Sequence, residues 1–190
     1  MALSTLTVNN VPVMLRALLA SRGADVSNLR TNRVLALVDS ALETMAYRIA
    51  RGEDYRGLQK QFSALSPVAG VLSRTTIGTT AIFDMARSTV REDSTGTLLT
   101  PVDSLMAFTY GELPLGQVYY AQDGDRLRFR DAAGSLTAFT SAVTITANYI
   151  PTLAQVPVEY HGLFLDTLAG LMTEPRPEIR AQELSEVGRA

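Results

Sequence analysis

At 190 residues, 46% of them apolar and 19% charged, the chain has the composition of a folded protein and the length for one domain with a real core. A net charge of -2 excludes a strongly basic nucleic-acid module, and the absence of cysteine excludes disulfides and thiolate metal sites. No run of about eighteen apolar residues occurs and Met1-Ala-Leu-Ser lacks a basic start, so neither a membrane span nor a secretion signal is expected, and the expected location is the cytoplasm or a particle assembled there.

Charge is uneven along the chain: residues 1–62 carry eight basic and five acidic side chains, residues 63–172 six basic and ten acidic. A basic contact surface is therefore expected on the N-terminal helices. Sixteen of the seventeen basic residues are arginine, Lys60 being the exception, a preference that suits bidentate interface contacts and equally a GC-rich genome.

The first predicted helix lies between Thr5 and Gly23. Asn10 is placed to cap it, Pro12 suits its first turn, Gly23 stops it, and Val11, Leu15, Leu18 and Leu19 share one face. A second begins at Thr31 or Asn32 and ends near Gly52. Its stripe of Val34, Leu35, Val38, Leu42, Met45, Ala46 and Ile49 follows the helical period, with Arg33, Asp39, Glu43, Arg48 and Arg51 largely opposite. The spacing of Tyr55, Leu58, Phe62 and Leu65 predicts one more short helix before Pro67.

Beyond Pro67 the period changes. Ile77, Thr79, Ala81, Phe83 and Met85 alternate as in a long strand, Arg91 to Gly96 reads as a polar projecting loop, and Leu98 to Tyr110 as a further strand after Pro101. Gly111 to Gly116 turns the chain. Gln117 to Ala121 and Arg126 to Arg130 flank Asp123-Gly124, the clearest hairpin signal, and Ala132 to Gly134 turns again before the strand Ala142 to Ile150. The expectation is an antiparallel meander of about five strands.

After Pro151, Val156 to Met172 reads as a helix with Pro157 in its first turn. Tyr160, Phe164, Thr167, Leu168 and Leu171 line one side, and Leu163, Leu165, Ala169 and Met172 extend apolar character around the rest. Such a helix is covered on more than one side, and in so small a domain a neighbouring subunit could supply the second cover. The tail Thr173 to Ala190 opens with Glu-Pro-Arg-Pro and turns polar, with Glu178 to Val187 able to become helical on binding. The fold class is α+β, organised as a helical region 1–66, a β region 67–151, an apolar helix 152–172 packing on the helical region, and a polar tail 173–190.

No constellation of residues reads as catalytic. His161, with Glu159 and Asp166 nearby, lacks the partners of a metal site and reads as a surface or interface histidine; no nucleophile elbow and no phosphate-cradling glycine loop are present. Arg126, Arg128 and Arg130 share one strand face beside Asp123, Asp125 and Asp131, either to meet phosphate or an acidic partner, or as a solvated face with local pairing. Carboxylate pairs such as Glu53-Asp54 and Glu92-Asp93 fall in turns. The chain is expected to be no enzyme and to need no cofactor or metal.

Taken as an order of parts, residues 27–172 resemble the head-to-tail adaptor (connector, head-completion) proteins of tailed bacteriophages, including podophage tail tubular A-like proteins. The resemblance lies in the Ala41-Leu-Glu-Thr-Met-Ala-Tyr-Arg-Ile49 helix, the strand opening at Pro101-Val-Asp103, the Asp-Gly hairpin, the strand end Thr144-Ile-Thr-Ala-Asn-Tyr-Ile-Pro151, and the Leu/Ala-rich helix Leu163 to Met172. The apolar connection Phe62 to Leu72 departs from that pattern.

The resemblance implies a virion protein of the head–tail interface, assembled in the host cytoplasm as a ring of about twelve copies. It would be fitted beneath the portal protein, above a downstream tail or nozzle protein, with DNA passing through without sequence-specific binding; the mildly acidic balance suits such a conduit. Subunit packing would fall to Val38, Leu42, Met45 and Ile49 and to Leu163, Phe164, Leu168 and Leu171. Portal docking would fall to Glu174, Arg176, Glu178, Arg180, Leu184 and Val187, and contact with the tail to Arg91, Glu92, Asp93 and Glu112. Two alternatives stand beside it: a tail-terminator or tube-completion ring, and a small-molecule-binding or hydrolytic domain with a site near Asp103, Tyr120 and His161.

Overall fold

A computed structural model describes residues 5–52 and 55–173. In chain order the helices are α1 (Val11–Ser21), α2 (Thr31–Ala36), α3 (Val38–Arg51), α4 (Arg74–Ile77), α5 (Leu105–Tyr110) and α6 (His161–Thr173). The strands are β1 (Gln59–Leu65), β2 (Val71–Ser73), β3 (Ala81–Ile82), β4 (Thr89–Glu92), β5 (Thr100–Pro101), β6 (Tyr119–Asp123), β7 (Arg126–Arg130) and β8 (Val143–Tyr149). The protein is mixed α and β, with two sheets of four strands each. It divides into a helical unit, residues 1–45 with 151–190, and a sheet unit, residues 46–150. Residues 46–66, read from sequence with the N-terminal helices, thus belong with the sheets.

In the helical unit α1 packs on α6 and touches α2. Val11, Pro12 and Leu15 form the buried side of α1. Asn10 does not cap it: its Oδ1 accepts from Thr7 N at 2.7 Å and its Nδ2 donates to Thr5 O at 2.8 Å, so it holds the preceding turn instead. At the other end Gly23, with φ of 76°, lets its own N–H and that of Ala24 return to the Ala20 and Leu19 carbonyls. The predicted second helix is broken at Leu37, giving α2 and α3. α6 buries Phe164, Leu165, Thr167, Leu168 and Ala169, more than half its circumference, as expected from its apolar girth.

In the sheet unit β8 is the centre of the first sheet, with β1 on one side and β3 and β4 on the other. The second sheet runs β2-β7-β6-β5, its β6-β7 hairpin turning at Gly124 with φ of 61°. Residues 97–101 join the two: Leu98 bridges Arg91 of β4, and Thr100 pairs in parallel with Tyr119 of β6. One core receives side chains from both sheets, with Leu127, Phe129 and Tyr120 from one meeting Val143, Ile145 and Ala147 from the other. Phe129 stacks on Phe139 with ring centres 5.1 Å apart. Each such fully buried side chain is worth about 1.5–3 kcal/mol.

Three predicted elements are replaced. The segment holding Leu58, Phe62 and Leu65 is a single 3-10 turn followed by strand β1. A bulge between Phe62 and Leu65, with Ala64 at φ of 57°, lets residues three apart pack on the same core, which imitates helical spacing in the sequence. The long strand 77–85 shrinks to the short β3 after a turn of helix, because Gly78 at φ of 121° breaks the extended run. The strand 98–110 ends at Pro101, and α5 follows.

The strands therefore form two sheets rather than one meander. Gly70 marks a tight crossing: its φ is 71°, and a Cβ there would lie 2.3 Å from the Leu136 carbonyl oxygen. Among the described residues no helix is long and apolar enough to cross a membrane.

Candidate assembly surfaces

α5 is short, so its ends decide whether it forms. Ser104 Oγ accepts from Ala107 N at 3.2 Å, capping the start. At the far end the Arg130 guanidinium, reaching from β7, donates from Nη1 to the carbonyls of Phe108 (3.3 Å) and Gly111 (3.0 Å) and from Nε to that of Gly134 (3.2 Å). A cation on the last carbonyls of a helix satisfies groups that have no partner within it and also suits its dipole. Phe108 is fully buried with Tyr119 and Ala121, on the face of β6 opposite the main core.

This anchoring leaves the other side of α5 bare. Met106 is 69% exposed and Tyr110 77%, one helical turn apart, and Leu115 just beyond is 70% exposed. Leu115 lies against Gly134, near the Arg130 guanidinium that holds the end of α5. Sequence reasoning missed this surface because it read residues 98–110 as a strand; the signal was Ser104, placed to cap Leu105 and Phe108 at helical spacing. A second bare surface lies in the helical unit, where Val8 is 59% and Val13 63% exposed. The remaining exposed positions of α1, Ala17, Ala20 and Ser21, are uncharged.

The residues assigned to subunit packing fare differently. Val38, Leu42, Met45, Ile49, Phe164 and Leu168 are buried by the chain's own fold, Met45 and Phe164 completely. That corrects the expectation: an atom already covered has no area left for a neighbour, and only Leu163 and Leu171 remain half-exposed. Glu174, Arg176, Glu178, Arg180, Leu184 and Val187 lie outside the described residues.

The loop Arg91 to Gly96, expected to project, is exposed except at half-buried Glu92 and is held by bonds of its own. Asp93 accepts from Thr144 Oγ1 at 2.6 Å, Glu92 accepts from Thr95 Oγ1 at 2.9 Å, and Gly96 N returns to Glu92 O. Arg91 stands exposed on β4, and Glu112 is exposed after α5. The arginine stripe separates into three roles. Arg126 is exposed, Arg128 Nε lies 2.8 Å from Asp123 Oδ2 in an ion pair without hydrogen-bond alignment, and Arg130 is the clamp on α5.

His161, expected at the surface or an interface, is not at the surface, being 4% exposed; its Nε2 donates to Val156 O at 3.2 Å, while buried Nδ1 meets no partner among the described residues. It belongs to the helical unit, whereas Asp103 and Tyr120 belong to the sheet unit. Burial, and secondly the Asp103 carboxylate, push the Tyr120 phenol up to about 12. The sheet unit also holds a cavity of about 190 Å³, with Ile82 and Phe83 in its wall and Tyr47, Gln122, Arg74 and Arg126 at its polar positions. Among the described residues no group of three or more His, Asp or Glu gathers as a metal site.

No family model matches the chain, and no curated protein matches it.

Proposed function

We propose that the chain is a structural virion protein that assembles as a ring at the head–tail junction of a tailed bacteriophage, bridging portal and tail around the DNA conduit. The observation that carries this reading is the pair of bare apolar surfaces, Met106, Tyr110 and Leu115 in one unit and Val8 and Val13 in the other. Met106 and Tyr110, one turn apart and in the open on the capped helix α5, offer apolar area to a protein partner. Within each subunit the N-terminal helices and α6 form a helical body and the strands a sheet region. Residues 174–187 would dock on the portal, and Arg91, Glu92, Asp93 and Glu112 would meet the next tail component. The order of parts from the α3 helix to α6 supports the same reading by its likeness to head-to-tail adaptors.

The test is the mass and shape of the purified chain, alone and mixed with the portal protein of the same virus, by light scattering and negative-stain microscopy. Rings of about twelve copies are expected; a strict monomer at high concentration in both settings sinks the reading. The cavity beside Tyr47 and Arg126 favours a second reading, a small-ligand domain, which a specific thermal shift with a metabolite would support.

A further inference from the structure

The cavity of about 190 Å³ lies wholly within the sheet unit, and neighbouring strands and a single turn of helix build most of it. β2 pairs with β7 so that Ser73 stands opposite Arg126, which brings Arg74, the next residue, to the same end of that sheet. Ser73 Oγ accepts from Thr76 N at 3.3 Å and caps α4, and Gly78 at φ of 121° leads the chain on into β3. Ile77, Ala81, Ile82 and Leu127, all buried, line the cavity with apolar atoms, and the half-buried rings of Tyr47 and Phe83 stand in its wall. Three of these, Ile77, Ala81 and Leu127, belong to the core shared by both sheets.

The charged part of the lining has a definite sign. Arg74 and Arg126 are positive and Asp125 is negative, which leaves one net positive charge. Arg74 gives one N–H to Thr79 O at 3.4 Å, and Arg126 lies 3.9 Å from Asp125, the two side chains being 61% and 71% exposed. A guanidinium has five N–H donors, so each arginine retains donors for a ligand. Asp123, opposite Arg126 in the hairpin, is paired with Arg128 instead.

The volume equals about six waters at roughly 30 Å³ each, and aliphatic walls give such waters few partners, so an apolar body displaces them favourably. Tyr47 and Phe83 suit a planar ring. The planar fork of arginine suits a carboxylate, and one net positive charge matches a monoanion better than a phosphate dianion. We propose that this cavity binds a small aromatic carboxylate, with its ring among Ile77, Ile82, Phe83 and Leu127 and its carboxylate held by Arg74 and Arg126. This site is separate from the surfaces of the ring reading; it rests on the small-ligand reading and gives that ligand a chemical class.

The test titrates the full chain with benzoate by calorimetry, with the methyl resonances of Ile77, Ile82 and Leu127 locating the site. Saturable binding of one benzoate per chain is expected, with those methyls shifting. Benzamide, which keeps the shape without the charge, and acetate, which keeps the charge without the ring, should each bind at least about tenfold more weakly. Arg74→Gln with Arg126→Gln should weaken benzoate by at least about tenfold and leave benzamide unchanged. Melting of the unbound variant should match that of the parent, since both side chains stand in water, and Arg126→Gln alone should show the same contrast with a smaller loss.

Benzamide binding as tightly as benzoate, inorganic phosphate displacing benzoate at equal concentration, or benzoate affinity untouched by both substitutions would overturn the carboxylate class while leaving the cavity a small-ligand site. Binding by neither benzoate nor benzamide, or shifts confined to residues outside the cavity, would overturn the small-ligand reading with it.

Discussion

The two units of the chain hold themselves together by different means. In the sheet unit the partners are far apart in sequence, β1 with β8 and β4 with β8, and polar groups are tied individually: half-buried Arg130 to three carbonyls, buried Thr144 to Asp93, half-buried Arg87 to the carbonyls of Ala50 and Gly52 at the end of α3. In the helical unit the cover comes from helix packing around α1 and α6, and its side-chain ion pair, Arg22 with Asp166 at 2.6 Å, is half in water. The difference teaches where substitutions should hurt. Loss of a partner from Arg130 or Thr144 leaves covered polar groups without one, whereas the Arg22–Asp166 pair of the helical unit can be returned to solvent.

The largest break should come from the stacked rings of the shared core. Phe129→Ala empties a fully buried site against Phe139 and is expected to cost about 3–5 kcal/mol, read from urea unfolding, with a change below about 1 kcal/mol counting against a common core for both sheets. Next comes the clamp on α5. Arg130→Met keeps the apolar stem but frees the carbonyls of Phe108, Gly111 and Gly134, and a loss of about 2 kcal/mol is expected, with faster amide exchange in residues 105–111. Unchanged exchange there would show that α5 stands without its cation.

A pH dependence sharpens the same contrast. The Tyr120 phenol is held protonated in the fold to about 12, above its ordinary value of 10, so the folded state binds its proton more tightly than the unfolded chain. The associated stability is complete below pH 10 and is lost as pH rises towards 12. Tyr120→Phe should remove that part of the alkaline slope, and an identical slope in the variant would show that another group is responsible. The smallest effect is expected in the helical unit, where Asp166→Asn should change stability by under about 1 kcal/mol and less still in high salt.

Local signals explain which parts of the fold could be read in advance. The β6-β7 hairpin at Asp123-Gly124, the strand β8 and the girth of α6 each follow from neighbours within a turn or a strand, and each is present. Gly23 stops α1 for the same reason, since only a few residues need agree. β1 was illegible because its bulge gives Phe62 and Leu65 a helical separation, and its strand state exists only through pairing with residues some 80 positions later. α5 was legible only at its start, where Ser104 caps it, because the cation on its far end comes from Arg130, twenty residues beyond.

The candidate surfaces divide in the same way. Composition alone placed apolar residues along the second predicted helix and α6 and marked them for a neighbour, but it could not say which neighbour; the fold buries Met45, Phe164 and Leu168 within the chain itself. Hydrophobicity is a property of a residue, whereas exposure is what remains after every other residue has packed. The bare side of α5 exists because Phe108 turns inward, Arg130 closes the helix end, and nothing in the described chain comes back to cover Met106 and Tyr110. Periodicity and turn residues sufficed for the hairpin and the apolar last helix, since those depend on bonds made close by. The paired sheets and the side of α5 left in water depend on contacts between distant segments.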